Sequence, residues 1–199
     1  MGVKWTTKKD GFPSMKASIK GLDKKKVNVG VLGGENAWLA GIHEYGVNIR
    51  AKKKYLTVPL IPEAAGRKAS SFGDLFVFTS KKGNKFLARK KGKKEIELVY
   101  WLTPSVVIPP RPFLSAGFDE HSKEVLKKAE RLLPGVLDGA MRVEQYCESI
   151  GLLLASKIKD YARDLKNPPN SNITKNVKGD DNPLVDTGKM IESITYEVE

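Results

Sequence analysis

The segment Ile108-Pro109-Pro110-Arg111-Pro112-Phe113-Leu114 restricts this chain more than any other stretch. Each proline fixes φ, removes a backbone donor and drives its predecessor toward extended geometry, so neither a helix nor a central strand can run through it. The result is a stiff strut of near-polyproline shape that divides a strand-rich first half from a helix-rich second half. Phe113 and Leu114 then bring apolar mass to the point where the first long helix begins. Two readings follow. The strut is a packed connector between two halves of one fold, or it is a contact surface on which Pro109, Pro110, Arg111 and Phe113 meet another subunit.

Before the strut, residues 1–26 are basic and broken by Gly11, Pro13 and Gly21, the pattern of an arm with one short helix after Pro13. Residues 27–199 read as a single α+β domain. Val27 to Leu32 alternates apolar with small or polar residues, the period of a half-buried strand, and stops at Gly33-Gly34. Trp38, Leu39, Ile42 and Tyr45 mark one face of a short helix that Gly46 caps. His43 and Glu44 are neighbours on that helix, about 100° apart, and so make a poor acid–base pair. Tyr55 to Pro62 is extended, and its prolines confine it to a sheet edge or a loop. The following Ala-, Gly- and Ser-rich residues 63–73 read as a flexible link.

Three strand-like runs follow, Leu75 to Thr79, Lys85 to Arg89 and Glu95 to Leu102, joined by turns that carry Gly83-Asn84 and Gly92. They predict an antiparallel β-meander within an insertion at about 63–102. Its positive charge collects on Lys81, Lys82, Lys85, Arg89, Lys90, Lys91, Lys93 and Lys94. These residues either keep a sheet edge solvated or contact nucleic-acid phosphates or an acidic protein.

After the strut, Ser115 to Leu133 predicts an amphipathic helix with Phe118, Val125, Ala129 and Leu132 on its apolar face, ended by Pro134-Gly135. Asp138 is the expected cap of the next helix. That helix keeps the 3.6-residue period from Val143 to Leu165, about 25 residues and roughly 40 Å, and is the expected core of the fold. Cys147 lies on its apolar stripe and is expected to be buried and unreactive. Asn167 to Asn182 reads as a mobile polar loop, with Asp180-Asp181 as a solvated turn. Asp186 or Thr187 caps a last short helix. Ile194, Tyr196 and Val198 then alternate as a final strand whose natural partner is Val27 to Leu32.

The whole is an α+β chain, an antiparallel sheet packed on a long helix of the C-terminal half, with an inserted basic β-meander. Its charge is +12, from 35 Lys and Arg against 23 Asp and Glu, which draws polyanions or an acidic protein. One cysteine permits no internal disulfide, and two histidines leave no thiolate–imidazole cluster for zinc, so a reducing cytoplasm is the expected setting. No run of about 18 apolar residues and no signal-like leader is present, so neither export nor contact with a membrane is expected. The opening Met1-Gly2-Val3-Lys4-Trp5-Thr6 matches a myristoylation pattern too short to weigh. There is no phosphate-binding glycine loop, nucleophile elbow or metal-ligand spacing. No catalytic, cofactor-binding or metal residue is assigned, and a structural or binding role is expected.

Three segments together bear a family likeness: His43-Glu44-Tyr45-Gly46 after a glycine-ended strand, the proline strut before a pair of helices, and Pro183-Leu184-Val185-Asp186-Thr187-Gly188-Lys189-Met190-Ile191-Glu192-Ser193-Ile194. In order and spacing they resemble the virion morphogenesis, or tail-completion, proteins of tailed bacteriophages. The resemblance implies a non-enzymatic, head-tail joining neck component of the virion, made in the host cytoplasm. It would form a homo-oligomeric ring, a hexamer, between neighbouring neck and tail proteins, with genomic DNA in the channel. On that basis Arg111 is expected to fork onto a neighbour's carboxylate. The alternatives are a free-standing basic nucleic-acid-binding protein and a metal-dependent nuclease.

Overall fold

The computed structural model describes residues 12–92, 94–179 and 181–199. The expected arm is therefore described only from Phe12 onward, and the myristoylation-like opening, Lys93 and Asp180 lie outside the described residues. The fold is mixed α+β, with antiparallel sheets and the long helices in the C-terminal half. Helix α1 (Phe12–Asp23) leads into β1 (Val27–Gly30), α2 (Gly34–Tyr45), β2 (Val47–Arg50) and β3 (Leu56–Pro59). Strands β4 (Phe76–Thr79), β5 (Lys85–Lys91), β6 (Glu95–Thr103) and β7 (Ser105–Ile108) follow, then α3 (Phe113–Leu137) and α4 (Val143–Asp164). The chain closes with α5 (Asn172–Lys178), α6 (Lys189–Glu192) and β8 (Thr195–Val198). These elements gather into two compact units. One takes the described part of Met1–Ala37 with Phe113–Ala162 and Met190–Glu199, and the other Trp38–Pro112 with Arg163–Lys189.

In the first unit, β8 pairs antiparallel with β1 in the register Val27↔Val198 to Gly30↔Thr195, the pairing that the alternating termini predict. Helix α4 buries Cys147, Gly151, Leu154, Ala155, Ile158 and Ala162. Its small residues let neighbours approach closely. A Cβ on Gly151 would lie 2.6 Å from the Tyr196 ring of β8, and one on Gly117 of α3 would lie 3.3 Å from Tyr161. Lys157 of α4 also reaches Glu124 of α3 at 2.8 Å. Burial raises the Cys147 thiol above its ordinary pKa.

Two expectations fail in this unit. Helix α3 does not stop at Pro134-Gly135 but continues to Leu137. A proline inside a helix costs about 3 kcal/mol. Here it sits in the last turn, and full burial of Val136, at 0% exposure, recovers much of that through roughly 1.5–3 kcal/mol of transfer energy. Gly139, at φ +81, turns the chain instead. Nor does Asp138 cap α4: its Oδ1 accepts from Ala140 N at 2.9 Å, a local turn well short of Val143. The buried line of α3 runs through Phe113, Gly117, Val125 and Val136, leaving Phe118 exposed.

The second unit holds a four-stranded antiparallel sheet in the order β3-β6-β5-β4 and a separate β2-β7 pair. Strand β3, which carries Pro59, lies at a sheet edge as its proline requires. The flexible link expected over residues 63–73 is instead a packed cover. It makes two short 3-10 turns, Pro62–Ala64 and Ala69–Ser71, around a small core of Ala64, Val99 and Tyr100. The Tyr100 hydroxyl donates to the Arg67 carbonyl at 2.9 Å and to that of Ala64 at 3.3 Å, and Phe72 meets the Tyr100 ring edge-on at 5.8 Å. A buried tyrosine whose hydroxyl finds acceptors only in this segment is what orders it.

Candidate functional site

Helix α2 forms where the periodicity and Gly46 place it, with its apolar stripe largely outward. Trp38, Leu39, Ile42 and Tyr45 have the spacing of a core-facing stripe, yet Trp38 is 71% and Tyr45 82% exposed, while Ala40 and Glu44 are the buried positions. Two large aromatic side chains therefore lie in water on one face of one helix.

Gly46 ends α2 at φ +69, and a Cβ there would lie 2.8 Å from the Pro110 nitrogen and 2.9 Å from the Ile108 carbonyl oxygen. Only glycine allows both the left-handed turn and this approach. Arg111 N then donates to the His43 carbonyl at 2.6 Å, tying the strut to the last turn of α2. The Arg111 guanidinium does not face outward. The residue is 4% exposed, with Nε donating to Pro168 O at 2.8 Å and Nη2 to Pro169 O at 3.1 Å.

Beside this junction is a cavity of about 700 Å³. Val106, Ile108, Pro109, Ile173 and Val177 supply apolar wall, and His43, Arg111, Asn170, Lys178 and Asp186 supply polar groups. Helix α5 forms part of this wall, where a mobile loop was expected. Ser171 caps it, accepting from Thr174 N at 3.2 Å, and Gly179 at φ +75 ends it. The Ser-x-x-Thr cap, the Ile173/Val177 pair four residues apart and the terminal glycine are the signals that would have found it. Asn170, 8% exposed, donates to the Asp181 and Asn182 carbonyls and holds the segment closed.

His43 Nδ1 is buried in this region without a hydrogen-bond partner among the described residues. Burial, then the charges of Arg111 and Lys178, push its pKa below the ordinary histidine value and favour the neutral imidazole. Residues of the three segments named above, His43, then Ile108, Pro109 and Arg111, and Pro183 with Asp186, thus line one cavity despite their separation in sequence. No family model, no curated protein and no solved structure matches the chain.

The other expected contact residues scatter. Pro110 backs Gly46, Pro109 lines the cavity, and Phe113 is 0% exposed at the start of α3. Phe113 is therefore an internal packing group at the start of a helix. Arg111 is largely buried and spends two of its five N–H donors on the carbonyls of a proline pair, which holds it at the cavity wall. Arg89 is likewise neutralised on the spot, with Nε 2.7 Å from Glu97 and Nη2 2.8 Å from Glu63. Their hydrogen bonds to Arg89 hold both carboxyls below the usual glutamate range. Lys91 joins Glu97 at 3.1 Å, and Lys85 Nζ lies 5.4 Å from the centre of the Tyr55 ring. Lys81, Lys82, Lys90 and Lys94 are exposed in and beside the two turns. Among the described residues no group of three or more His, Cys, Asp or Glu gathers to hold a metal ion, and no helix is long and apolar enough to cross a membrane.

Proposed function

We propose that this chain is a structural subunit of a bacteriophage neck, a tail-completion or head-tail joining protein that repeats as a ring around the DNA channel and contacts neighbouring neck and tail proteins. The observation that carries this reading is the outward apolar face of α2, with Trp38 and Tyr45 in solvent. Large aromatic groups enrich the energetic centres of protein interfaces, and a helix that buries its glutamate and exposes its tryptophan has a surface suited to another protein. The shared cavity of the three family-like segments supports the resemblance on which the partner class rests.

In this reading the contact moves from the proline strut to α2, and the strut serves to hold α2 through Gly46 and Arg111. The antiparallel β1-β8 pair packs on the long α4, a frame supported by the close approach of Tyr196 to Gly151. Strands β4, β5 and β6 form an inserted appendage whose exposed lysines, Lys81, Lys82, Lys90 and Lys94, face DNA or an acidic neighbour. Ring growth through one head-to-tail interface needs two different patches per subunit and closes when the rotation fits. Imaging of the purified chain by negative-stain electron microscopy tests this. Closed rings of uniform diameter are expected, and a field of single chains at all concentrations would contradict it.

A further inference from the structure

The cavity of the second unit has a chemistry of its own. Its walls are mainly aliphatic, yet two cations line it with no carboxylate partner among the described residues. Arg111 spends two of its N–H groups on the Pro168 and Pro169 carbonyls, and Lys178 donates to the Asn182 carbonyl at 2.5 Å. A guanidinium has five N–H donors and an ammonium three, so both keep donors with no acceptor among the described residues. His43 also lines this space, with its Nδ1 buried beneath the wall. Asp186 is the one carboxylate among the described residues of the lining, and it is exposed.

We propose that this cavity takes an acidic, apolar segment of a neighbouring protein, with an aliphatic or aromatic side chain between Val106, Ile108 and Ile173 and a carboxylate toward His43, Arg111 and Lys178. Charge complementarity selects the occupant. A carboxylate meets two cations that lack one, whereas a second copy of this chain, itself carrying +12, is the poorer fit. Val107 extends the apolar wall outward at 69% exposure, so the cavity is an anchor point within a wider surface and suits a polypeptide better than a small enclosed ligand. Only the identification of the partner as a neck or tail protein rests on the function proposed above.

The test uses the full chain and three probes: a short synthetic peptide alternating leucine and glutamate, the same peptide with lysine for glutamate, and hexanoate. Binding is read from the imidazole NMR signals, which His43 shares only with His121. The acidic peptide is expected to shift His43 saturably, leave His121 in place and outbind the basic peptide. Lys178→Gln is expected to weaken it about tenfold while the backbone amide spectrum stays that of the folded chain. An equal response to both peptides, no response to either, an unchanged affinity in Lys178→Gln, or binding of hexanoate alone would each overturn the assignment. Light scattering on the same samples without probe reads assembly separately. Rings without peptide binding remove the cavity proposal, and peptide binding without rings removes the neck reading.

Discussion

Two parts of the second unit treat the same kinds of residue in opposite ways. Around β6, Tyr100 is 1% exposed, its hydroxyl is satisfied twice, and Arg89 meets two carboxylates. Around α2 and the strut, Trp38 and Tyr45 stand in solvent, and among the described residues Arg111 and Lys178 meet carbonyls rather than carboxylates and an imidazole nitrogen has no partner. Tyr100 and Arg89 complete their packing and charge balance within the chain. The α2 region does not, and the difference separates a part that stabilises the subunit from a part that has something left to bind.

Substitutions should respect that division. Tyr100→Ala removes a fully packed ring and takes its hydroxyl donor from the Arg67 carbonyl, so a loss of about 3–5 kcal/mol is expected from urea unfolding. A midpoint shifted by less than a third of that would mean that the cover over the sheet holds without its tyrosine. Gly46→Ala is expected to cost less, about 1–3 kcal/mol, from the left-handed backbone and the 2.8 Å approach to Pro110. The same variant should alter the His43 imidazole signals, because His43 and the strut share that junction. Spectra identical to wild type would separate the turn from the cavity.

A smaller effect is expected from pH. The folded state holds His43 below its ordinary pKa through burial and the facing charges of Arg111 and Lys178. Between that lowered value and about 6.5 the unfolded chain binds a proton that the folded chain refuses, so stability falls as pH drops through this window and is fully present above it. Urea midpoints measured from neutral to mildly acid pH should decline, and His43→Gln should flatten the decline. An equally steep decline in the variant would assign the effect to other groups.

Much of the first unit was legible because periodicity and burial agree there. The stripe of α4 and the alternation of Val27 to Gly30 and Thr195 to Val198 are each set by which side chains avoid water, and a strand with one buried face has one register. The errors have local causes. Residues 63–73 look like a linker because Ala, Gly and Ser carry little apolar mass, and what orders them is the Tyr100 hydroxyl far along the chain. Helix α5 does not stand out in the sequence because its seven residues are polar overall and its caps, Ser171 and Gly179, have the composition of a loop. Helix α2 was placed correctly, but its apolar stripe predicts a core face, and in this chain that face is outside. A sequence pattern states that a face avoids water without saying whether its own chain covers it. Arg111 is the converse case, an arginine in a proline strut that suggests an open surface contact and is largely buried, held by the carbonyls of Pro168 and Pro169.

The most direct measurement compares the mass of the wild-type chain in solution, by light scattering over a concentration series, with that of Trp38→Ser combined with Tyr45→Ser. Both side chains are exposed, so the double variant should unfold within about 0.5 kcal/mol of wild type. The wild type is expected to scatter as one closed multiple of the chain mass and the variant as a folded single chain. A wild type that stays single throughout, or a variant that assembles as the wild type does, would contradict the claim that the outward face of α2 is where this protein joins its neighbours.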